Sequence, residues 1–182
     1  MVVNWSQDIY IEAYQFAAEA HLCQLVPGTK LPYLMHISLV SMEIMAALCV
    51  EEGMDGDLAV QCALLHDVIE DTPTSFDKIQ QKFGLRVAQG VLALSKGENV
   101  PKPQQLGDSL RRIREQPHEI WMVKLADRIT NLQEPPSFWD LEKIRQYLVA
   151  AKEIHAALKD ASPYLTSRLS EKIAVYAGYC AY

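Results

Sequence analysis

His66, Asp67, Glu70 and Asp71 lie within the stretch Leu64-Leu65-His66-Asp67-Val68-Ile69-Glu70-Asp71-Thr72. They combine one imidazole with three carboxylates, groups that bind divalent ions or move protons. Read as two helical turns, the stretch puts Leu64, Leu65, Val68 and Ile69 on an apolar face and the four reactive side chains on the opposite one. Many surface helices share that two-faced pattern. The composition of the polar face is what sets it apart, because no Lys or Arg stands among the acids. Like charges at i,i+3 and i,i+4 weaken a helix by a few tenths of a kcal/mol, so the stretch calls for a cation. A metal ion would serve.

Two residues elsewhere extend the set. His36 is a polar group in an apolar context, flanked by Leu34, Met35, Ile37 and Leu39. Asp127 sits in Val123-Lys124-Leu125-Ala126-Asp127-Arg128-Ile129. Taken singly, His36 reads as a core histidine satisfied by one hydrogen bond, and Asp127 as the partner of Lys124 or Arg128 in a salt bridge. Taken with His66 and Asp67, they make two imidazoles and two carboxylates from three separate helices. That mix suits Mn²⁺, Fe²⁺ or Zn²⁺ with positions left open for water and a phosphate oxygen. No cysteine spacing offers a structural zinc site, and helix bundles commonly hold metals between facing helices.

The elements that position these residues read as helix after helix, an all-α chain. Ser6-Gln7-Asp8 opens a helix through Ala20 that ends before Pro27-Gly28. The second spans His36 to about Glu51. The third, capped by Asp55 or Asp57, carries the acidic stretch to Thr72-Pro73. Thr74 or Ser75 caps a fourth that ends at Gly84, and a fifth covers Leu85 to Leu94. Ser95 to Pro103 is irregular. A sixth helix holds Leu110 to Glu115, and Pro117 is placed as the first residue of a seventh. After Pro135-Pro136 comes a long eighth helix from about Phe138 to Leu158, and Ser162-Pro163 starts the last. Strand-type alternation is missing, as are repeats and linker-like segments, so one domain over residues 1–182 is expected.

Composition narrows the function classes. With 49% hydrophobic residues, 182 residues suffice for one core. A net charge of −6 argues against a nucleic-acid binder, whereas a bound cation can still invert the local field for an anionic small substrate. Cys23, Cys49, Cys62 and Cys180 are scattered and read as buried free thiols. No targeting segment and no membrane-length apolar run is seen, which predicts a cytoplasmic location.

Four segments carry a resemblance to a known family. They are Phe16-Ala17-Ala18-Glu19-Ala20-His21, Pro32-Tyr33-Leu34-Met35-His36, the stretch from Leu64 to Thr72, and Val123 to Leu132. In this order they resemble the HD superfamily of metal-dependent phosphohydrolases. Within it they are similar to the hydrolase domain of the RelA/SpoT alarmone enzymes, and the small stand-alone alarmone hydrolases are nearest in length. The resemblance implies an HD-type helical bundle and a 3′-pyrophosphohydrolase that uses Mn²⁺ to remove the 3′-diphosphate of guanosine tetra- or pentaphosphate. It implies His36, His66, Asp67 and Asp127 as metal ligands, and Glu70 and Asp71 as the acidic pair that orients and activates water. Asn131 matches a residue at the family's nucleotide site. Lys124 is assigned to holding Asp127 or neutralising phosphate, and Tyr147 to the nucleotide wall or, equally, to the core.

One departure stands out. After His21 and Gln24 the family has an Arg-Lys pair for base and phosphates, where this chain has Val26 and Pro27. Lys30 in the following loop is the nearest replacement. Arg111, Arg112 and Arg114 offer another, although a solvated basic helix face is the simpler reading. The missing cations open the substrate to an adenine alarmone. A general HD nucleotidase on another nucleotide, or a catalytically silent nucleotide-binding module, are the alternatives.

Overall fold

The computed structural model describes residues 4–97 and 99–180, and among them every regular element is helical. The elements are α1 (Gln7–Ala20), α2 (Leu34–Leu48), α3 (Gly56–Leu65), α4 (Val68–Asp71), α5 (Phe76–Phe83), α6 (Leu85–Leu94), α7 (Gln105–Arg114), α8 (His118–Asn131), α9 (Leu141–Leu158) and α10 (Pro163–Tyr176). Short 3₁₀ turns occupy Lys102–Gln104 and Ala177–Cys180. The all-α expectation holds. Among the described residues no helix is long and apolar enough to cross a membrane.

Helix starts follow the local chemistry of the chain. The side chains of Ser6, Asp55, Ser75, Asp140 and Ser162 each accept a hydrogen bond from a first-turn amide of α1, α3, α5, α9 and α10, satisfying one of the donors a helix start leaves unpaired. Several boundaries shift from expectation. Pro117 is the residue before α8 rather than its first, with ψ 156°. Asp140 caps α9, which starts at Leu141, three residues beyond Phe138, and α7 begins at Gln105, ahead of Leu110. The irregular reading of 95–103 stands, apart from the turn at Lys102–Gln104; residue 98 lies outside the described residues.

The centre of the fold is α8, most of whose length is buried. It packs on α2, α3, α9 and α10, while α1 covers α3, and α6, itself paired with α5, also packs on α3. Gly90 permits the closest approach of α6. A Cβ there would lie 2.5 Å from Ile120 Cδ1 and 2.9 Å from Cys62 Sγ. The cysteines correct the sequence reading, since only Cys62 is buried; Cys23 and Cys49 are exposed and Cys180 is half-buried. Cys23 occupies a turn with φ 68° just past α1, and Cys49 ends α2 at the surface. Their places follow from chain reversal, not from hydrophobicity.

One buried charge ties α10 to α2. Glu43 is almost fully buried and accepts two hydrogen bonds from Arg168, at 2.5 and 2.6 Å. Arg168→Met therefore leaves a carboxylate stranded in the core, and breaking such pairs costs about 3–5 kcal/mol. Because Arg168 itself is partly exposed, we expect the lower end, about 3 kcal/mol. Urea denaturation checks it, and a loss under about 1 kcal/mol would show that water reaches Glu43.

Candidate active site

His36 on α2, His66 and Asp67 in the turn between α3 and α4, and Asp127 on α8 come together at one point. His36 Nε2 and His66 Nε2 are 3.3 Å apart. Asp67 Oδ2 lies 2.9 Å from His66 Nε2 and 3.6 Å from His36 Nε2. Asp127 Oδ1 lies 3.5 and 3.9 Å from the same two nitrogens. His36, His66 and Asp67 form the tightest trio.

The expected single helix through residues 55–72 is interrupted here, and the interruption makes the site. Adjacent residues on an unbroken helix do not face each other. At Asp67 the backbone turns to φ −102°, ψ −1°, and this lets His66 and Asp67 point at one another. Neither sequence period nor composition signals that break.

The donor set fits a divalent ion. His66 Nδ1 lies 2.8 Å from the Ala63 carbonyl and so carries the proton, leaving the Nε2 lone pair directed at the cluster. On His36 the Nδ1 edge faces Thr130 Oγ1 at 3.5 Å. Two imidazole lone pairs thus converge with two carboxylate oxygens, an arrangement of acceptors that only a cation makes favourable. With bonds of about 2.0–2.2 Å, ligand atoms around one ion sit about 3.0–3.6 Å apart, close to the separations seen. Without an ion, a proton takes its place. Burial disfavours charge on His66, but Asp67 and Asp127 outweigh it and raise its pKa to about 9. Burial likewise opposes the charge of Asp127, but Lys124 and the histidines prevail and hold it at about 2. Asp67 is held well below the usual carboxylate range, burial again being outweighed, by His66, His36 and the Tyr33 hydroxyl.

A pH dependence follows. His66 is raised from 6.5 to about 9, so its contribution to the stability of the ion-free protein is full below about 6.5 and lost as pH rises through about 9. An incoming ion must displace that proton. Affinity for a divalent ion should therefore rise about tenfold per pH unit through the neutral range and level off above about 9. Calorimetry in buffers of different ionisation enthalpy checks this, and absence of proton release at neutral pH would show that His66 is not displaced.

Around the cluster, a cavity of about 500 Å³ is lined by Tyr33, Asp67, Glu70, Asp71, Lys124, Asp127, Asn131 and Tyr147, among others. Lys124 Nζ binds Asp127 Oδ2 at 3.0 Å and the Asn131 amide binds Oδ1. Tyr147 forms the far wall from α9. Lys30 does not line the cavity. Its loop closes on itself through the Leu25–Pro32 bridge and the turn at Gly28, φ 78°, so Lys30 stays at the surface. Arg111, Arg112 and Arg114 are also absent from the lining. Arg111 pairs with Asp108 and Glu115. Arg112 holds the carbonyls of Leu92, Ala93 and Ser95, and so caps the end of α6.

Three contacts were not foreseen from sequence. The Tyr33 hydroxyl donates to Asp67 Oδ2 at 2.5 Å, and the Gln24 amide donates to Asp71 Oδ2 at 3.0 Å. Lys96, from the irregular segment, binds Glu70 through both its amide, at 2.8 Å, and its ammonium group. The acidic stretch thus has a lysine partner 26 residues away, which supplies part of the positive charge that the stretch calls for. Burial, and then the charge of Asp67, raises the pKa of Asp71 above the ordinary carboxylate value.

The family described as "HD domain" matches residues 13–162. Guanosine-3′,5′-bis(diphosphate) 3′-pyrophosphohydrolase MESH1 of Danio rerio is 28% identical over 172 residues, covering 91% of this chain and 93% of the relative. The guanosine-3′,5′-bis(diphosphate) 3′-pyrophosphohydrolase of Aquifex aeolicus is 33% identical over 150 residues, 80% of this chain but only 20% of that much longer protein. A solved structure described as "A metazoan ortholog of SpoT hydrolyzes ppGpp and plays a role in starvation responses" superimposes with a TM-score of 0.80 at 27% identity, over 93% of this chain and 96% of that one. With a helical bundle that gathers two histidines and two aspartates at one point, and with that family matched over most of its length, the chain belongs to the HD domain family.

Proposed function

We propose that the protein is a metal-dependent nucleotide 3′-pyrophosphohydrolase of the small alarmone hydrolase type, one HD domain acting on a guanosine 3′,5′-bis(diphosphate) or its adenine analogue. The observation that carries this is the convergence of four lone-pair donors beside an acidic pair, in a cavity sized for a nucleotide. The names of the relatives, which match along nearly their full length in the animal proteins, support the substrate class.

His36, His66, Asp67 and Asp127 hold the ion; the donor set suits Mn²⁺, Fe²⁺ or Zn²⁺, and the resemblance to the alarmone hydrolases selects Mn²⁺ among them. When bound, a divalent ion there acidifies a nearby water and draws charge from the phosphate. The Tyr33 hydroxyl fixes the orientation of Asp67. Glu70 and Asp71 face the same cavity and take the proton of the attacking water. Lys96 anchors Glu70, whereas burial and the charge of Asp67 raise the pKa of Asp71 and make it a better proton acceptor than an ordinary aspartate. Gln24 keeps Asp71 turned inward. Lys124 and Asn131 hold Asp127 and border the space for the nucleotide.

The test is release of pyrophosphate or phosphate from guanosine and adenosine 3′-diphosphates and simple mononucleotides, with Mn²⁺ and with chelator. Metal-dependent pyrophosphate release from a 3′-diphosphate is expected. Activity confined to monophosphates would make the protein a general nucleotidase, and silence across the metal-loaded panel would leave a binding module.

A further inference from the structure

Arg128 is a buried cation with no anion of its own. It is 9% exposed, and it takes part in none of the ion pairs formed among the described residues. Its Nε and Nη1 are sealed from solvent without a hydrogen-bond partner. Its guanidinium lies 4.3 Å from the centroid of the Tyr147 ring, and it lines the cavity that holds the metal cluster. Nη2 is not among these sealed and unpartnered atoms. Burying a charge without a partner is expensive, and a cation–π contact offsets only part of that cost. Of the other cations that line the cavity, Lys96 is engaged with Glu70 and Lys124 with Asp127, and Lys102 stands in an exposed turn.

Arg128 follows Asp127 directly on α8, and adjacent helix residues point in different directions. An anion held by Arg128 is then set apart from the ion held by Asp127, which suits a phosphate other than the one being cleaved.

Resting on the nucleotide reading above, we propose that Arg128, stacked on Tyr147, is the specificity-determining contact for a second phosphate group of the substrate, the 5′-phosphates of a nucleotide whose 3′-diphosphate is hydrolysed. Lys102, from the 3₁₀ turn, lines the same cavity and adds positive charge at its rim. Together they supply what Val26 and Pro27 do not. The competing role is a strut, in which Arg128 only packs α8 against α9.

The experiment uses the full, metal-loaded chain and two readouts. The first is calorimetric binding of guanosine 5′-diphosphate against guanosine, and of the adenosine pair, none of which carries a 3′-diphosphate to cleave. Wild type should bind the better diphosphate at least about tenfold more tightly than its nucleoside, and Arg128→Met should remove about 10- to 100-fold of diphosphate affinity while leaving the nucleoside unchanged. The second is hydrolysis of guanosine 3′-diphosphates with and without 5′-phosphates. The Met variant should raise KM for the 5′-phosphorylated substrate alone, with kcat nearly constant. Should Arg128→Met fail to fold, Arg128→Lys carries the test. It loses the planar fork and the ring stacking, and its diphosphate preference should fall by about tenfold.

Equal loss for nucleoside and diphosphate would establish the strut and overturn the proposal. Equal binding of the two by wild type, or an unchanged preference in the Lys variant, would overturn it as well. Wild type that releases pyrophosphate from 3′-diphosphates regardless of 5′-phosphates would leave the hydrolase reading standing and remove Arg128 from it. Absence of any such release would fail the hydrolase reading itself.

Discussion

Asp67→Ala abolishes both metal retention and turnover. Asp67 Oδ2 is the atom nearest the convergence point, 2.9 Å from His66 Nε2 and 3.6 Å from His36 Nε2. Its removal deletes one of two anionic donors from a buried site, where charge is poorly screened. Even residues that only support metal ligands contribute about 10–100-fold to affinity, so loss of a direct ligand should exceed roughly 100-fold. The variant also takes away the strongest influence that raises His66, so the proton that stands in for the ion leaves at lower pH. Metal content after desalting, together with kcat, checks the prediction, and a thermal melt shows whether the fold survives. Asp67→Asn is the companion variant, since it keeps an acceptor for the Tyr33 hydroxyl but drops the charge. A full equivalent of metal with wild-type rate in Asp67→Ala would remove Asp67 from the ligand set.

Glu70→Ala should behave differently, keeping the ion while kcat falls by about 10²–10⁴-fold, the usual loss when a general base is removed. Glu70 lines the cavity but stands outside the close trio of His36, His66 and Asp67. Its other partner complicates the outcome, because Lys96 holds it by both amide and ammonium groups. Freed by the Ala substitution, that lysine could itself disturb the cavity. Lys96→Met separates the two effects: if the rate loss comes from the lost carboxylate, this variant keeps most of the activity. Metal loss on Glu70→Ala would instead make Glu70 a ligand. A Lys96→Met variant as slow as Glu70→Ala would show that positioning of Glu70, more than its presence, limits the rate.

What could be read along the chain shares one physical property, short range. The caps at Ser6, Ser75 and Ser162 are hydrogen bonds to amides three residues on, and the apolar period of each helix is equally local. The fold class followed from those signals, because a helix is stabilised by neighbours four residues away or nearer. His36, His66, Asp67 and Asp127 were legible as candidates by residue type and context. Their meeting was legible through the resemblance and not from spacing, since it depends on how α2, α3 and α8 pack.

The remainder was decided by tertiary structure. The break at His66–Asp67 opposes a continuous helical period and exists because the packed cluster needs both side chains to face one way. Gln24 reaches Asp71 across 47 positions, Tyr33 reaches Asp67 across 34 and Lys96 reaches Glu70 across 26. Lys30, close to the site along the chain, was carried away from it by a loop that pairs with itself. Arg128, which sequence offered only as a salt-bridge partner, lies instead over an aromatic ring from a helix that begins thirteen residues further on, at Leu141. The sequence by itself determined which residues can ligate, donate or accept, because that is a property of each side chain alone. Only the packing of helices decided which of them face one another, because the burial energy that fixes those partners belongs to the assembled core and to no single segment of it.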